Sequence, residues 1–167
     1  MKRKRVFNGK LIKVSTLFKK IPNGKMCYLE EVKHPGASLI VPVFGKKIVL
    51  LRQYRAVIDK YIWELPAGVM KKGESPLKCA KREITEETGY EVKDVKKIGM
   101  IYTTPGFCDE VIHVFKARCV SKGIHERDED EIIKVRLFNG AEIKEMVKSG
   151  RIMDSKTVTS LALAGII

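Results

Sequence analysis

Three glutamates, Glu83, Glu86 and Glu87, are the side chains of this sequence whose type and spacing best suit chemistry. On a helix, such spacing places all three carboxylates along one flank. Like charges so placed repel one another and destabilise an isolated helix, so a positive group must offset them. A hard divalent cation does this best, because Mg²⁺ is typically held by a few carboxylates together with substrate phosphates. The alternative is a solvated acidic face on a surface helix.

The helix that must position these carboxylates is predicted over residues 76–88. Ser75 is a good N-cap, Pro76 suits the first helical position, and Gly89 can adopt the left-handed conformation that ends a helix. The predicted apolar stripe consists of Leu77, Ala80 and Ile84. The acidic flank therefore lies beside a buried face.

The sequence around this helix follows a longer pattern. Its fixed positions are Gly68, Glu74, Arg82, Glu83, Glu86, Glu87 and Gly89. At all of these positions the segment 68–90 resembles the Nudix box, and only Tyr90 departs from it, at a position that is usually aliphatic. A pattern with this many fixed residues is far more specific than a lone GxGxxG.

Further stretches are similar to the ADP-ribose pyrophosphatase branch of that family. They are HPGAS (34–38), LRQYR (51–55), WELPAG (63–68) and YTTPGFCDE (102–110). That branch carries a proline sixteen residues after the last glycine of the box, and Pro105 stands sixteen residues after Gly89. The resemblance implies hydrolysis of the pyrophosphate bond of ADP-ribose to AMP and ribose 5-phosphate. It also implies a dependence on Mg²⁺, with Mn²⁺ as the alternative metal and roughly two or three ions at the site.

Two other functions stay open. One is hydrolysis of another nucleoside diphosphate sugar or dinucleotide. The other is a non-catalytic Nudix-fold module that binds nucleic acid. The glutamates argue against this second function, because pure binding gives no reason to keep a self-repelling acidic cluster.

The resemblance also assigns roles within and beyond the box. The expected metal ligands are Glu83, Glu87 and the backbone carbonyl of Ala67, with Glu86 as a catalytic residue that either binds a further ion or tunes the first two. Arg82 is expected to orient the glutamates through charge-assisted hydrogen bonds, and Glu74 to support the start of the helix. A purely structural role is the alternative for both. The general base is expected on a mobile loop before the last strand, where Glu129 is the first choice and Glu131 the second. An ordinary solvated acidic loop is the alternative there.

Substrate contacts are expected from several strands and loops. Arg55 is expected to bind a phosphate or ribose oxygen, and Arg52 to do likewise across a dimer interface. Trp63 or Tyr28 could stack on adenine, because aromatic faces suit nucleobases, although Trp63 could equally belong to the core. The remaining candidates are Pro105 and Gly106, which otherwise form a simple turn, and Glu110, which would contact the terminal ribose or a metal.

Composition limits the class of protein. The chain has 167 residues, of which 44% are hydrophobic and 32% charged, and its formal net charge is +13. These values indicate one ordinary globular domain, expected in the cytoplasm, without a membrane span or a secretory signal. The positive charge raises nucleic acid as a partner, but the lysines are spread along the chain and favour a solvated surface. The scattered cysteines Cys27, Cys79, Cys108 and Cys119 indicate neither a zinc site nor a disulfide framework.

The predicted fold class is α/β of the α+β type. Strands are predicted over 11–19, 26–32, 97–102, 111–120 and 132–138 and within HPGASLIVPVF and KKIVLLRQYR, and helices within AEIKEMVKSG and SKTVTSLALAGII. Turns are predicted at 22–24 and at 66–68, and the apolar run 48–51 indicates burial on both faces of its strand. The resemblance implies the Nudix fold, a mixed sheet sandwiched between helices. Residues 1–33 are expected to form a hairpin arm that pairs two subunits of a homodimer, with its basic run at 2–5 as a mobile end. Residues 34–167 are expected to form the hydrolase domain.

Overall fold

The computed structural model describes residues 3–122 and 133–167. Its elements, in chain order, are β1 (Arg3–Asn8), β2 (Lys13–Lys20), β3 (Met26–Lys33), β4 (Ala37–Phe44), β5 (Lys47–Arg55), β6 (Lys60–Glu64), β7 (Ala67–Val69), α1 (Pro76–Thr88), β8 (Tyr90–Tyr102), β9 (Val111–Lys122), β10 (Ile133–Asn139), α2 (Gly140–Lys148) and α3 (Ser155–Leu163). A 3-10 turn, Ala56–Ile58, joins β5 to β6.

The N-terminal strands form a separate antiparallel sheet in the order β1-β2-β3. The predicted turn between β2 and β3 is confirmed, because Gly24 has a φ of 84° and donates its N–H to the carbonyl of Ile21 at 2.9 Å. The prediction of a mobile basic end was wrong, since Arg3–Asn8 is a strand whose Arg3 pairs with Leu17. The reason is that an adjacent strand edge satisfies the backbone groups of this basic segment.

The main sheet has seven strands. Five follow the order β10-β5-β4-β9-β8, while β6 pairs with β5 and β7 with β4. Strands β4 and β9 run parallel and the other pairs run antiparallel, so the predicted mixed sheet is confirmed. The central strands are apolar on both faces, as the run from Ile48 to Leu51 predicts.

Helices cover both faces of this sheet. Ala80 and Ile84 of α1 pack with Ile40 of β4, whereas Ile143 of α2 and Leu161 of α3 pack with the neighbouring Leu39. Because successive side chains of a strand point to opposite faces, α1 lies on one side and α2 and α3 lie on the other. The predicted sandwich of a mixed sheet between helices is therefore confirmed. Among the described residues, no helix has the length and apolar composition that a membrane span requires.

Three local predictions were wrong. Residues 66–68 were expected to form a turn, but Ala67–Val69 is the short strand β7, held by pairing with β4. Strand β8 starts at Tyr90, directly after α1, rather than at position 97, because β9 supplies a pairing partner over its whole length. Leu77 was assigned to the buried stripe but is 42% exposed, since it lies in the first turn of α1, at the edge of the packed face.

Candidate functional site

Helix α1 has the predicted bounds, Pro76–Thr88, and local capping explains them. The Ser75 hydroxyl accepts a hydrogen bond from the backbone N–H of Lys78 at 3.3 Å. At the other end, Gly89 has a φ of 71° and donates its N–H to the carbonyl of Thr85 at 2.8 Å. These caps satisfy backbone groups that a helix leaves unpaired at its ends. They fix which turn of the helix carries the glutamates.

Arg82 is the centre of the acidic cluster. Its Nε and Nη2 donate to the two carboxylate oxygens of Glu74 at 2.8 and 3.0 Å. Its Nη1 lies 2.6 Å from Glu83 Oε1 and 2.7 Å from Glu86 Oε2. The structure thus brings Arg82 against the carboxylates that the sequence assigned to it. One guanidinium contacts three carboxylates, which offsets the repulsion along the helix.

Glu74 is tied into this cluster from two sides. Besides the two bonds from Arg82, its carboxylate accepts the backbone N–H of Lys71 at 2.9 Å. The hydrogen bonds from Arg82 lower the pKa of Glu74 to about 2, and the same contacts raise the pKa of Arg82 above its ordinary value. Glu74 is therefore ionised at any physiological pH, and it links the loop before α1 to the helix.

Strand β7 packs closely against the glutamates at Gly68. A Cβ built on Gly68 would lie 2.0 to 2.4 Å from the carboxylate atoms of Glu83, so a side chain at this position would collide with that carboxylate. Next to it, the backbone N–H of Ala67 donates to Glu87 Oε2 at 3.2 Å, and Glu87 is only 3% exposed. Because Gly68 has no side chain and the Ala67 amide donates a hydrogen bond, β7 accommodates the carboxylates of Glu83 and Glu87. We call Ala67 and Gly68 the Gly68 cradle.

The carboxylates open into a cleft of about 610 Å³. The residues that line it are Ala37, Arg55, Ala67, Gly68, Val69, Lys71, Arg82, Glu83, Glu86, Glu87, Glu110, Ile112 and Lys156. The set combines the predicted metal-binding residues of α1 and β7 with Arg55 and Glu110 from other elements. The cleft therefore brings together the residues predicted to bind metal and two of the residues predicted to bind substrate.

A buried ion network that the sequence reasoning missed adjoins the cleft. Glu64, at the end of β6, is 1% exposed and accepts hydrogen bonds from Arg55 Nε at 2.8 Å and Nη2 at 3.1 Å. Lys156 Nζ also donates to Glu64, and it donates to Asp154 at 2.8 Å. Glu64 lies in the stretch WELPAG and Lys156 in SKTVTSLALA. Because 92 residues separate them, no local sequence pattern predicts their contact.

Glu110 reaches the cleft from the loop between β8 and β9. Its Oε1 lies 3.3 Å from Nδ1 of His34, but that nitrogen accepts the backbone N–H of Gly36 at 3.1 Å. The neighbouring Asp109 fixes the loop, since it accepts the His34 N–H at 3.0 Å and pairs with Lys33 at 2.5 Å.

Other predicted substrate residues lie away from the cleft of this chain. Arg52 is exposed, with its guanidinium 4.8 Å from the centre of the Tyr61 ring. Trp63 is half-buried against the core, with its ring 5.0 Å from that of Phe138, which favours the core alternative for it. Tyr28 is 53% exposed on the N-terminal sheet.

The remaining candidates belong to loops. Pro105 and Gly106 are exposed in the loop before Glu110. Glu129 and Glu131 lie outside the described residues.

The donor atoms suit a hard divalent cation. Carboxylate oxygens of Glu83 and Glu87 lie against the backbone of β7 at the Gly68 cradle, Glu86 lines the same cleft, and such oxygens are the ligands that Mg²⁺ prefers. Within the part of the chain that the structure describes, however, no group of three histidine, cysteine or acidic side chains stands in metal-ligating geometry. Arg82 accounts for this in part, because its Nη1 contacts both Glu83 and Glu86. The chemistry of the donor set fits the metal, and Arg82 engages the same carboxylates.

Comparison with known proteins points to the same chemistry. The model of the NUDIX domain family matches residues 32–157. The chain is 39% identical over 162 residues to the ADP-ribose pyrophosphatase of Bacillus subtilis (strain 168), covering 95% of this chain and 88% of that protein. It is 38% identical over 164 residues to the methanol dehydrogenase activator of Bacillus methanolicus, covering 96% and 89%. It is 36% identical over 140 residues to a GDP-mannose pyrophosphatase of Salmonella typhimurium, covering 75% and 71%.

A solved structure gives the same fold. The crystal structure of an ADP compounds hydrolase superposes with a TM-score of 0.84 at 20% sequence identity, covering 98% of this chain and 90% of that one. The family match spans most of the chain and includes Glu83, Glu86 and Glu87, which line the cleft described above. The chain belongs to the Nudix family and is an enzyme of its pyrophosphatase group.

Proposed function

We propose that this enzyme hydrolyses the pyrophosphate bond of ADP-ribose, giving AMP and ribose 5-phosphate. The observation that carries the proposal is the composition of one cleft. Its lining contains the glutamates of α1 and, from other elements, the cations Arg55 and Lys156. A diphosphate carries negative oxygens on both phosphorus atoms. Cationic side chains can bind these oxygens directly, and the glutamates can hold the divalent cation that neutralises them. The similarity to an ADP-ribose pyrophosphatase over 95% of the chain supports this choice of substrate.

A divalent cation, Mg²⁺ or alternatively Mn²⁺, completes the proposal. Glu83, Glu87 and Glu86 would hold roughly two or three such ions, with the Ala67 carbonyl as a further ligand. When bound, the metal neutralises phosphate oxygens and lowers the pKa of a water molecule. The preference for Mg²⁺ follows from an all-oxygen donor set, which matches the hard cations.

The chain's own residues have separate roles in this reaction. Arg82 holds Glu83 and Glu86 in place through its guanidinium. Arg55 binds a phosphate oxygen, and Glu110 faces the ribose end of the substrate. Glu129 takes a proton from the attacking water, with Glu131 as the second choice. Glu129 and Glu131 lie outside the described part of the chain, and their proposed roles depend on the family resemblance alone.

We further propose that the enzyme is a cytoplasmic homodimer paired through its N-terminal sheet. Large apolar side chains are exposed on this sheet, namely Val6 (54%), Phe7 (54%), Phe18 (52%), Met26 (60%) and Tyr28 (53%). Such a concentration of exposed apolar groups is typical of an interaction surface. In a dimer, Tyr28 and Arg52 of one subunit would contact substrate at the cleft of the other, which gives both residues a role that a single chain does not provide.

The second candidate is another nucleoside diphosphate sugar. The similarity to a GDP-mannose pyrophosphatase favours it, although that match covers 75% of the chain rather than 95%. A regulatory role, which the name of the methanol dehydrogenase activator raises, does not compete with hydrolysis, because the acidic cleft is compatible with both. A module that only binds nucleic acid is the least favoured alternative.

The test is hydrolysis of a panel of nucleoside diphosphate compounds with Mg²⁺ and with EDTA. We compare the wild type with Glu87→Gln and use Glu145→Gln, an exposed glutamate of α2, as the matched control. AMP release that favours ADP-ribose, requires the metal and falls at least about a hundredfold in Glu87→Gln alone would support the proposal. A preference for GDP-mannose would replace the substrate. No hydrolysis by folded wild type, with salt-sensitive binding to RNA, would favour the binding module.

A further inference from the structure

Lys156 lines the cleft, but no atom of the substrate has yet been assigned to it. It lies in the first turn of α3, and its ammonium group is held by Glu64 and Asp154 while lining the same cavity as the glutamates of α1. We propose that Lys156, together with Arg55, binds phosphate oxygens of the nucleoside diphosphate substrate. This inference rests on the proposed function and adds a binding residue from the C-terminal helix.

Hydrogen-bond capacity supports this role. Glu64 receives two N–H bonds from Arg55, and Lys156 donates to Glu64 and Asp154. A guanidinium and an ammonium group each carry more donors than these contacts use. The side chains of Arg55 and Lys156 are 39% and 19% exposed, whereas that of Glu64 is 2% exposed. Glu64 therefore lies beneath the two cations, which face the cavity.

Charge distribution gives a second argument. Glu64 and Asp154 balance the charges of Arg55 and Lys156, but of these four residues only the two cations line the cavity. Elsewhere in the cavity, Arg82 forms ion pairs with Glu74, Glu83 and Glu86. Burial lowers the pKa of Arg55, but the hydrogen bond and charge of Glu64, with a smaller contribution from Glu87, raise it overall. The wall of the cavity is therefore cationic at Arg55 and Lys156 and acidic at the glutamates of α1.

The position of Lys156 is fixed by its own helix. Asp154 caps α3 by accepting the backbone N–H of Thr157 at 2.9 Å, and the Thr157 hydroxyl accepts the N–H of Leu65 at 2.9 Å. These bonds attach the start of α3 to the end of β6, next to Glu64. A side chain that is already held in place loses less entropy when it binds a ligand. The arrangement therefore suits recognition of a phosphate at a defined position.

The experiment measures ADP-ribose binding by calorimetry in EDTA, so that the protein's cations act without metal. The variants are Lys156→Met, which removes the charge at similar length, and Lys156→Arg, which keeps it. Lys144→Met, at an exposed position of α2, is the matched control. We expect Lys156→Met to raise Kd about tenfold or more, as loss of a charge-assisted hydrogen bond does, while Lys156→Arg and Lys144→Met stay within about threefold of wild type.

A second readout separates substrate binding from a structural role. A direct contact with phosphate makes Kd depend on salt, so the dependence should be weaker in Lys156→Met than in wild type. In turnover with Mg²⁺, KM should rise more than kcat falls. If Lys156→Met does not fold, Lys156→Gln, which keeps a donor for Glu64, is measured in the same way.

The outcomes distinguish this inference from the proposed function. Binding of ADP-ribose by Lys156→Met or Lys156→Gln within about twofold of wild type, with an unchanged salt dependence, overturns the role of Lys156 and leaves the hydrolase proposal intact. Failure of the folded wild type to bind or hydrolyse ADP-ribose overturns both. A tenfold loss confined to the uncharged variants supports the role of Lys156.

Discussion

Arg82 and Glu74 form a two-bond ion pair in which Nε and Nη2 of the guanidinium meet the two carboxylate oxygens at 2.8 and 3.0 Å. Eight residues of sequence separate them, and the pair connects the loop before α1 to the second turn of that helix. Because the guanidinium is fixed on one side by Glu74, its Nη1 is directed to Glu83 and Glu86. The pair therefore sets the geometry of the acidic cluster.

The first prediction concerns the pH dependence of stability. The pKa of Glu74 is about 2 in the folded protein, against an ordinary value of 4.5. A carboxyl group whose pKa is lowered by folding stabilises the protein above its unfolded pKa and loses that contribution as the pH falls through its folded pKa. Glu74→Gln should therefore lower the free energy of unfolding at pH 7, and this deficit should shrink between about pH 4.5 and pH 2.

Denaturant unfolding at several pH values measures this effect. Glu145→Gln, at an exposed position of α2, is the control and should show a much smaller pH-dependent difference from wild type. A deficit for Glu74→Gln that is constant from pH 7 to pH 3 would show that the ion pair with Arg82 does not supply the stability.

The second prediction concerns the cradle at Gly68. Gly68→Ala places a Cβ 2.0 to 2.4 Å from atoms of the Glu83 carboxylate, which must move. Because those atoms are the far end of a flexible side chain, their movement costs little stability. We therefore expect a loss of metal-dependent hydrolysis of at least about tenfold, with a free energy of unfolding close to that of wild type. Gly140→Ala, where an added Cβ meets no atom within 4 Å, is the matched control.

Kinetics with varied Mg²⁺ and thermal unfolding of both variants check this prediction. A displaced Glu83 should also raise the Mg²⁺ concentration needed for half-maximal activity. Activity of Gly68→Ala equal to that of Gly140→Ala at every Mg²⁺ concentration would exclude the cradle from the metal site.

The third prediction concerns the general base. Glu129→Gln should reduce kcat by roughly 10² to 10⁴, the usual contribution of such a group, while ADP-ribose binding in EDTA stays close to that of wild type. Glu131→Gln, two positions along the same acidic loop, is the comparison. Rate constants from saturating substrate decide between them: the larger loss identifies the base, and loss within a few fold in both variants would place the base elsewhere.

Much of the site could be predicted because its signals are local. The bounds of α1 follow from Ser75, Pro76 and Gly89, which act on backbone groups within a few residues, and the structure reproduces them. The placement of Glu83, Glu86 and Glu87 on one flank then follows from helix geometry. The burial of residues 48–51 is likewise visible in an apolar run.

Predictions failed where a distant partner decides the structure. The basic segment at the start of the chain becomes β1 because β2 offers an unpaired edge, and Ala67–Val69 becomes a strand because β4 does. Neither segment has enough signal of its own, since strand formation depends on cross-strand neighbours. Trp63, for which a core position was the open alternative, packs against Phe138, a neighbour that likewise comes from a strand far along the chain.

The sequence by itself determined the acidic helix, the family and the chemistry expected of its glutamates, because helix geometry and capping depend on neighbours along the chain. Only the tertiary structure decided what faces those glutamates. Glu64 and Lys156 stand 92 residues apart and meet because β6 and α3 pack side by side, joined by the bond from Leu65 to Thr157. A contact of that range depends on the packing of whole elements, and no local pattern encodes it.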